Sequence, residues 1–179
     1  MVHPTIAELV ERSKESAKVH KPASRLAELS ARGEKMSGTL LITCIDPRSV
    51  PETIFNLKAE EVIVHRNGGG RVRTALADIA ILRIIIAGGL DEILVMHHTD
   101  CGCLRYTDEG MKAKLKATIG PGHDELIDGL YLSAIDKLEN SIREDLKLLK
   151  ESPLVPKGLA EKAQGFIFDI ATGDLVRVQ

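Results

Sequence analysis

The 179-residue chain has no tryptophan, two tyrosines and three phenylalanines, so aromatic residues make up only 3% of it. A surface that stacks nucleic-acid bases needs aromatic rings, and this composition offers few. Neither sign of charge dominates: 24 lysines and arginines face 26 aspartates and glutamates, a formal net charge of -2. That balance removes the electrostatic case for nucleic acid or an anionic membrane as a partner. Three cysteines are an odd number and a poor basis for a disulfide framework, which points to a reducing, cytoplasmic compartment. The first fifteen residues carry Glu8, Glu11, Arg12 and Lys14 and no apolar core, so a secretory signal is not expected. Long apolar runs are missing as well. The most apolar stretch, Ile79 to Leu90, is broken by Arg83 and by Gly88-Gly89; it is too short to span a bilayer and reads as a buried helix.

What remains is ordinary for a globular protein, with 44% hydrophobic and 28% charged residues. The length suits one domain, 1–179, with residues 1–35 as an N-terminal helical arm. Within that arm Ile6, Leu9 and Val10, and then Leu26 and Leu29, recur at helical spacing. Gly38 to Cys44, Glu61 to Arg66 and Asp91 to His97 are short, continuously apolar runs and read as buried strands. Thr74 to Ala87 reads as a helix capped by Thr74 and stopped by Gly88-Gly89. A helical region with weaker signals runs from Gly102 to about Lys116. Asp124 to Lys150 reads as one long amphipathic helix or a pair, its Lys and Glu residues forming a solvated face. Gly165–Ile170 and Leu175–Val178 flank Thr172-Gly173-Asp174, a strand, turn and strand that should close the sheet. Strands alternating with helices predict an α/β fold: a mainly parallel central sheet flanked by helices.

Two of the predicted strands end in residues suited to binding a metal. Cys44 opens Cys44-Ile45-Asp46-Pro47-Arg48, and His98 opens His98-Thr99-Asp100-Cys101. In parallel sheets ligands bind beyond the carboxyl ends of the strands, so these two ends could meet. Two thiolates and one imidazole suit a tetrahedral ion and leave one position open, as catalytic zinc sites do. Buried structural cysteines are the alternative for so short a pattern. Asp46 and Arg48 add weight to the metal reading, because alternation in an extended segment places residues 44, 46 and 48 on one side. An exposed salt bridge is the alternative for that pair. His97 should point away from His98, and Cys103 is a weaker candidate for a fourth ligand. Asn67-Gly68-Gly69-Gly70 lacks the spacing of a phosphate loop and reads as a close backbone approach or a tight crossover.

The Cys44-x-Asp46-x-Arg48 motif, Pro51-Glu52-Thr53-Ile54-Phe55, Val64-His65-Arg66-Asn67 and His97-His98-Thr99-Asp100-Cys101-Gly102 resemble the β-class carbonic anhydrases. The similarity continues through Ser152-Pro153-Leu154-Val155-Pro156 and the strand Gly165-Phe166-Ile167-Phe168-Asp169, covering most of the chain from residue 38 onward. The resemblance implies that Cys44, His98 and Cys101 bind Zn²⁺ and that Asp46 and Arg48 form a catalytic dyad. The implied reaction is reversible hydration of carbon dioxide to bicarbonate and a proton through a zinc-bound hydroxide, the work of a zinc lyase. In a closed state Asp46 would leave Arg48 and become the fourth ligand. The family also implies a homodimer or higher homo-oligomer. Gly102, beside a ligand and at a helix start, is a candidate to offer its backbone N–H to the substrate.

The chain departs from the family in two places. Its only glutamines are Gln164 and Gln179, so the substrate-binding Gln that many members carry before the first strand is absent. Arg66 matches the arginine of a second, regulatory bicarbonate site, but the tryptophan of that site has no counterpart. Two other functions stay open: hydrolysis of carbonyl sulfide or carbon disulfide on the same zinc, and a non-catalytic zinc module.

Overall fold

A computed structural model describes residues 3–34 and 37–179. Met1, Val2 and Lys35 of the expected arm therefore lie outside the described residues. The elements run α1 (Ile6–Ala17), α2 (Leu26–Ala31), β1 (Thr39–Cys44), α3 (Pro51–Ile54), β2 (Ile63–Asn67), α4 (Val72–Ile85) and β3 (Glu92–His98). They continue with α5 (Asp108–Ile119), α6 (Asp124–Asp128), α7 (Leu138–Glu151), α8 (Lys157–Lys162), β4 (Gln164–Phe168) and β5 (Leu175–Val178). Short 3₁₀ turns at Gly68–Gly70 and Gly102–Arg105 follow β2 and β3.

The strands form one sheet in the order β2-β1-β3-β4-β5. All neighbours are parallel except β5, which returns antiparallel to β4 through the turn at Thr172-Gly173-Asp174. The order places β1 directly beside β3, with Thr43 level with Met96. The carboxyl ends that carry Cys44 and His98 are thus neighbours. Leu40, Ile42, Ile93 and Val95 from these strands pack with Val72, Ala75 and Ile79 of α4, Leu149 of α7 and Leu159 of α8. Each such side chain, removed from water, contributes about 1.5–3 kcal/mol. The closest approach is at Gly165 in β4, where a Cβ atom would overlap the Ile142 side chain of α7. Only glycine lets that helix lie so near the sheet.

Two expectations change, and a third is settled between its alternatives. The helix expected from Thr74 begins at Val72, with Arg71 as its N-cap, and Thr74 Oγ1 instead donates to the Arg71 carbonyl at 3.2 Å. The same helix is buried only along one side, because Ile81, Ile84 and Ile85 are 49%, 85% and 52% exposed. The span from Asp124 resolves into the pair α6 and α7, separated by residues 129–137. There tertiary partners take the backbone donors: Ala134 N–H bonds to the Asp108 carboxylate at 2.8 Å and Ile135 N–H to the Cys103 carbonyl at 3.0 Å. Buried backbone groups must find partners, and here the partners are not those of a helix. No helix among the described residues is long and apolar enough to cross a membrane.

Candidate metal centre

Cys44 ends β1, and the turn that follows is fixed by Arg66 on the neighbouring strand β2. Arg66 Nε donates to the Cys44 carbonyl at 3.0 Å, and its Nη2 donates to the carbonyls of Asp46 and Ser49 at 2.7 and 3.1 Å. The arginine that matched a regulatory anion site is thus occupied with backbone. From the other side the Gly68–Gly70 turn presses on the same strand end. Gly70 has φ +71°, and a Cβ there would stand 2.9 Å from the Cys44 nitrogen. Glycine is needed both for that backbone conformation and for that distance.

His98 ends β3, and Asp100, with φ +53°, turns the chain so that Cys101 returns to the same place. Donor atoms of Cys44, His98 and Cys101 all lie within 4.8 Å of one another. The three residues are buried, at 4%, 0% and 2% exposure. The two sulfurs are 3.8 Å apart. Two sulfurs each about 2.3 Å from one tetrahedral ion would stand about 3.8 Å apart, so the pair has the right bite. His98 Nδ1 meets the Thr99 carbonyl at 2.9 Å, which leaves Nε2 as the nitrogen available to a metal. That Nε2 is buried and has no hydrogen-bond partner in the protein. Buried polar atoms rarely go unsatisfied without a reason, and this one faces two thiols. The donor set of two sulfurs and a nitrogen fits Zn²⁺.

Without a cation the thiols resist ionisation. The neighbouring Cys101 thiol and then burial push Cys44 up to about 12. Cys101 is likewise raised, first by Cys103, which is half-buried and lies outside the trio. Metal uptake must therefore release protons.

Asp46 sits at the edge of this centre, with Oδ2 3.9 Å from His98 Nε2. Arg48 grips it twice, Nε to Oδ1 at 3.0 Å and Nη2 to Oδ2 at 2.7 Å, and the Arg48 backbone N–H adds a third bond at 2.9 Å. These bonds hold the Asp46 carboxyl down at about 2 and raise the Arg48 guanidinium further. Gly102 opens the 3₁₀ turn directly after Cys101, with open space where a side chain would stand.

His97 points the other way, into a network that sequence reasoning missed. Its Nδ1 is 2.7 Å from Ser141 Oγ and its Nε2 is 3.2 Å from Asp145 Oδ2. Arg71 Nε pairs with the same Asp145 oxygen at 3.0 Å. Ser141, Ile142, Asp145 and Leu149 form the buried stripe of α7. The helical spacing of Ser141, Asp145 and Leu149 was the one available signal for a buried acid. His65 pairs with Asp78 at 3.0 Å, and Asp100 with Arg48 at 2.7 Å.

A mainly parallel α/β sheet whose strand ends gather a Cys, His, Cys donor set beside an Asp–Arg pair defines a metalloenzyme scaffold. The family model for carbonic anhydrase matches residues 39–175. Beta-carbonic anhydrase 1 of Mycobacterium tuberculosis is 30% identical over 139 residues, covering 77% of this chain and 80% of that protein. The chain belongs to the β-class carbonic anhydrases, a family of zinc lyases of the carbonate dehydratase type. The crystal structure of carbonic anhydrase from Streptococcus mutans aligns over all of both chains with TM-score 0.82 at 26% identity. A carbon disulfide hydrolase from Acidianus sp. is 28% identical over 151 residues, covering 74% of this chain and 72% of that one.

Proposed function

We propose that Cys44, His98 and Cys101 hold one zinc ion and that the site hydrates carbon dioxide reversibly to bicarbonate and a proton, with Asp46 and Arg48 as the catalytic dyad. The observation that carries this reading is the donor trio: two sulfurs 3.8 Å apart facing a buried imidazole nitrogen that makes no hydrogen bond. Bound zinc supplies the Lewis acidity that makes water a nucleophile near neutral pH. Asp46, kept ionised by Arg48, accepts a hydrogen bond from the reacting water and aims its lone pair at the carbon. Arg48 fixes the direction of that carboxylate, and the Gly102 N–H is assigned to a substrate oxygen. A closed state, with Asp46 as fourth ligand, would have to break the Arg48 bonds first.

The chain acts as one domain, 1–179, with 1–35 as an arm, in the cytoplasm. It works as a homodimer or higher homo-oligomer. This is supported by α1, which buries no residue and exposes Ile6, Leu9 and Val10 on one stripe. Unpaired apolar helix faces of this kind mark contact surfaces. The second reading, carbon disulfide or carbonyl sulfide hydrolysis at the same centre, is favoured by the carbon disulfide hydrolases among the relatives, the Acidianus protein being one.

Stopped-flow carbon dioxide hydration, with zinc analysis of the wild type and Cys101→Ser, tests the proposal. Turnover should scale with zinc content and vanish in the variant. A fully zinc-loaded wild type that hydrates no carbon dioxide overturns it, and hydrogen sulfide released from carbon disulfide would then select the second reading. A non-catalytic module would show no turnover on either substrate.

A further inference from the structure

Asp100 belongs neither to the donor trio nor to the Asp46–Arg48 pair, yet it binds Arg48 through two of its own atoms. Arg48 Nη1 donates to Asp100 Oδ2 at 2.7 Å, and Nη2 donates to the Asp100 carbonyl at 3.0 Å. Nε and Nη2 also serve Asp46, so all three guanidinium nitrogens are engaged. The carbonyl contact goes with the left-handed backbone of Asp100, which L-residues adopt reluctantly and Asp and Asn most readily. The other carboxylate oxygen, Oδ1, accepts from Arg105 Nη2 at 3.3 Å. Asp46, Arg48, Asp100 and Arg105 thus form a chain of alternating charge along the rim of the centre.

We propose that Asp100 is a positioning residue that occupies the outer edge of Arg48, holding the guanidinium against Asp46 and denying that edge to anions. The inference rests on the proposed carbon dioxide chemistry, in which the substrate is neutral and the product is an anion. A guanidinium with one free edge is a ready receptor for a planar oxyanion. Held by a single carboxylate, Arg48 would keep such an edge and retain bicarbonate. Held by two, it orients Asp46 and lets the product leave. Asp100 acts only through Arg48, so its signature lies in anion affinity and in the order of Arg48, beyond any change in stability.

Asp100→Asn tests this, because asparagine keeps the size and tolerates the backbone while removing the charge. Asp100→Gly, which also suits the positive φ, is the second variant. In zinc-loaded protein kcat for hydration should fall about three- to five-fold, the measure of one exposed charge pair, with KM changed less than about two-fold. Nitrate should inhibit at about three-fold lower concentration. The Arg48 Nε–Hε resonance should exchange faster with solvent, a readout that needs no turnover. Arg105→Gln, which leaves Asp100 in place, should move each quantity less than about two-fold. Unchanged nitrate inhibition and an unchanged Arg48 resonance in both Asp100 variants would overturn the proposal, even if stability or zinc content dropped. Should the wild type hydrate no carbon dioxide, the functional reading fails, while nitrate binding and the Arg48 resonance still decide the role of Asp100.

Discussion

His97 and His98 follow one another in β3 and are both fully buried, yet one imidazole is surrounded by protein partners and the other leaves a nitrogen facing two thiols. The His97 side is scaffold. Asp145 pairs there with His97 and Arg71, while the Arg71 backbone is held at both ends by the Asn67 side chain, at 2.7 and 2.9 Å. Those bonds fix the Gly68–Gly70 turn that presses on Cys44. On the His98 side the imidazole faces the sulfurs of Cys44 and Cys101. Equal burial therefore marks structure where the imidazole nitrogen meets a carboxylate, and a candidate site where it meets two thiols.

The comparison can be broken by removing residues from each side. The largest effect should come from Cys44→Ser, which takes one thiolate from the trio. Zinc should no longer copurify stoichiometrically, and hydration should fall by at least about 1000-fold. Retention of one zinc per chain in that variant would contradict the assignment. On the scaffold side, Asp145→Ala leaves Arg71 buried without its inner partner, its side chain being 8% exposed. Denaturant unfolding should show a loss of about 3–5 kcal/mol, with hydration per bound zinc in the folded fraction changed far less than by Cys44→Ser. Asp46→Asn should sharpen the contrast from within the site, lowering kcat about 100-fold at unchanged zinc content. Equal turnover in that variant would return the site to a passive zinc module.

A smaller effect concerns acid. Because Arg48 lowers the Asp46 carboxyl to about 2, the pair contributes stability that is fully present above the unfolded-state value of about 4. That contribution is lost as pH falls from about 4 through about 2. Arg48 is 46% exposed, so solvent screening limits the effect to about 1 kcal/mol or less. Unfolding of zinc-free wild type and Asp46→Asn across this range should show a shallower acid limb in the variant.

Much of this was legible in the sequence because the signals are local. Gly38 to Cys44 and Asp91 to His97 are apolar runs that lead into Cys44 and His98, and short spacings tie His98 to Cys101 and Asp46 to Arg48. The less legible parts depend on distant partners. Nothing near Arg71 announces Asp145, 74 residues away, and nothing near Ser133 to Ile135 announces that Asp108 and Cys103 will claim its backbone. The apolar composition of α4 likewise hid the exposure of Ile84, because composition does not say which side of a helix is covered. Arg66 was visible as an arginine in a family pattern, but its three carbonyl partners appear only once β1 and β2 are paired.

Zinc-edge X-ray absorption on purified protein tests the central claim most directly. It should show one ion bound by two sulfurs at about 2.3 Å and one imidazole nitrogen at about 2.0 Å, the fourth position held by a light atom that exchanges with added anions. Protein lacking stoichiometric metal, or an ion closed by a third sulfur, would contradict it.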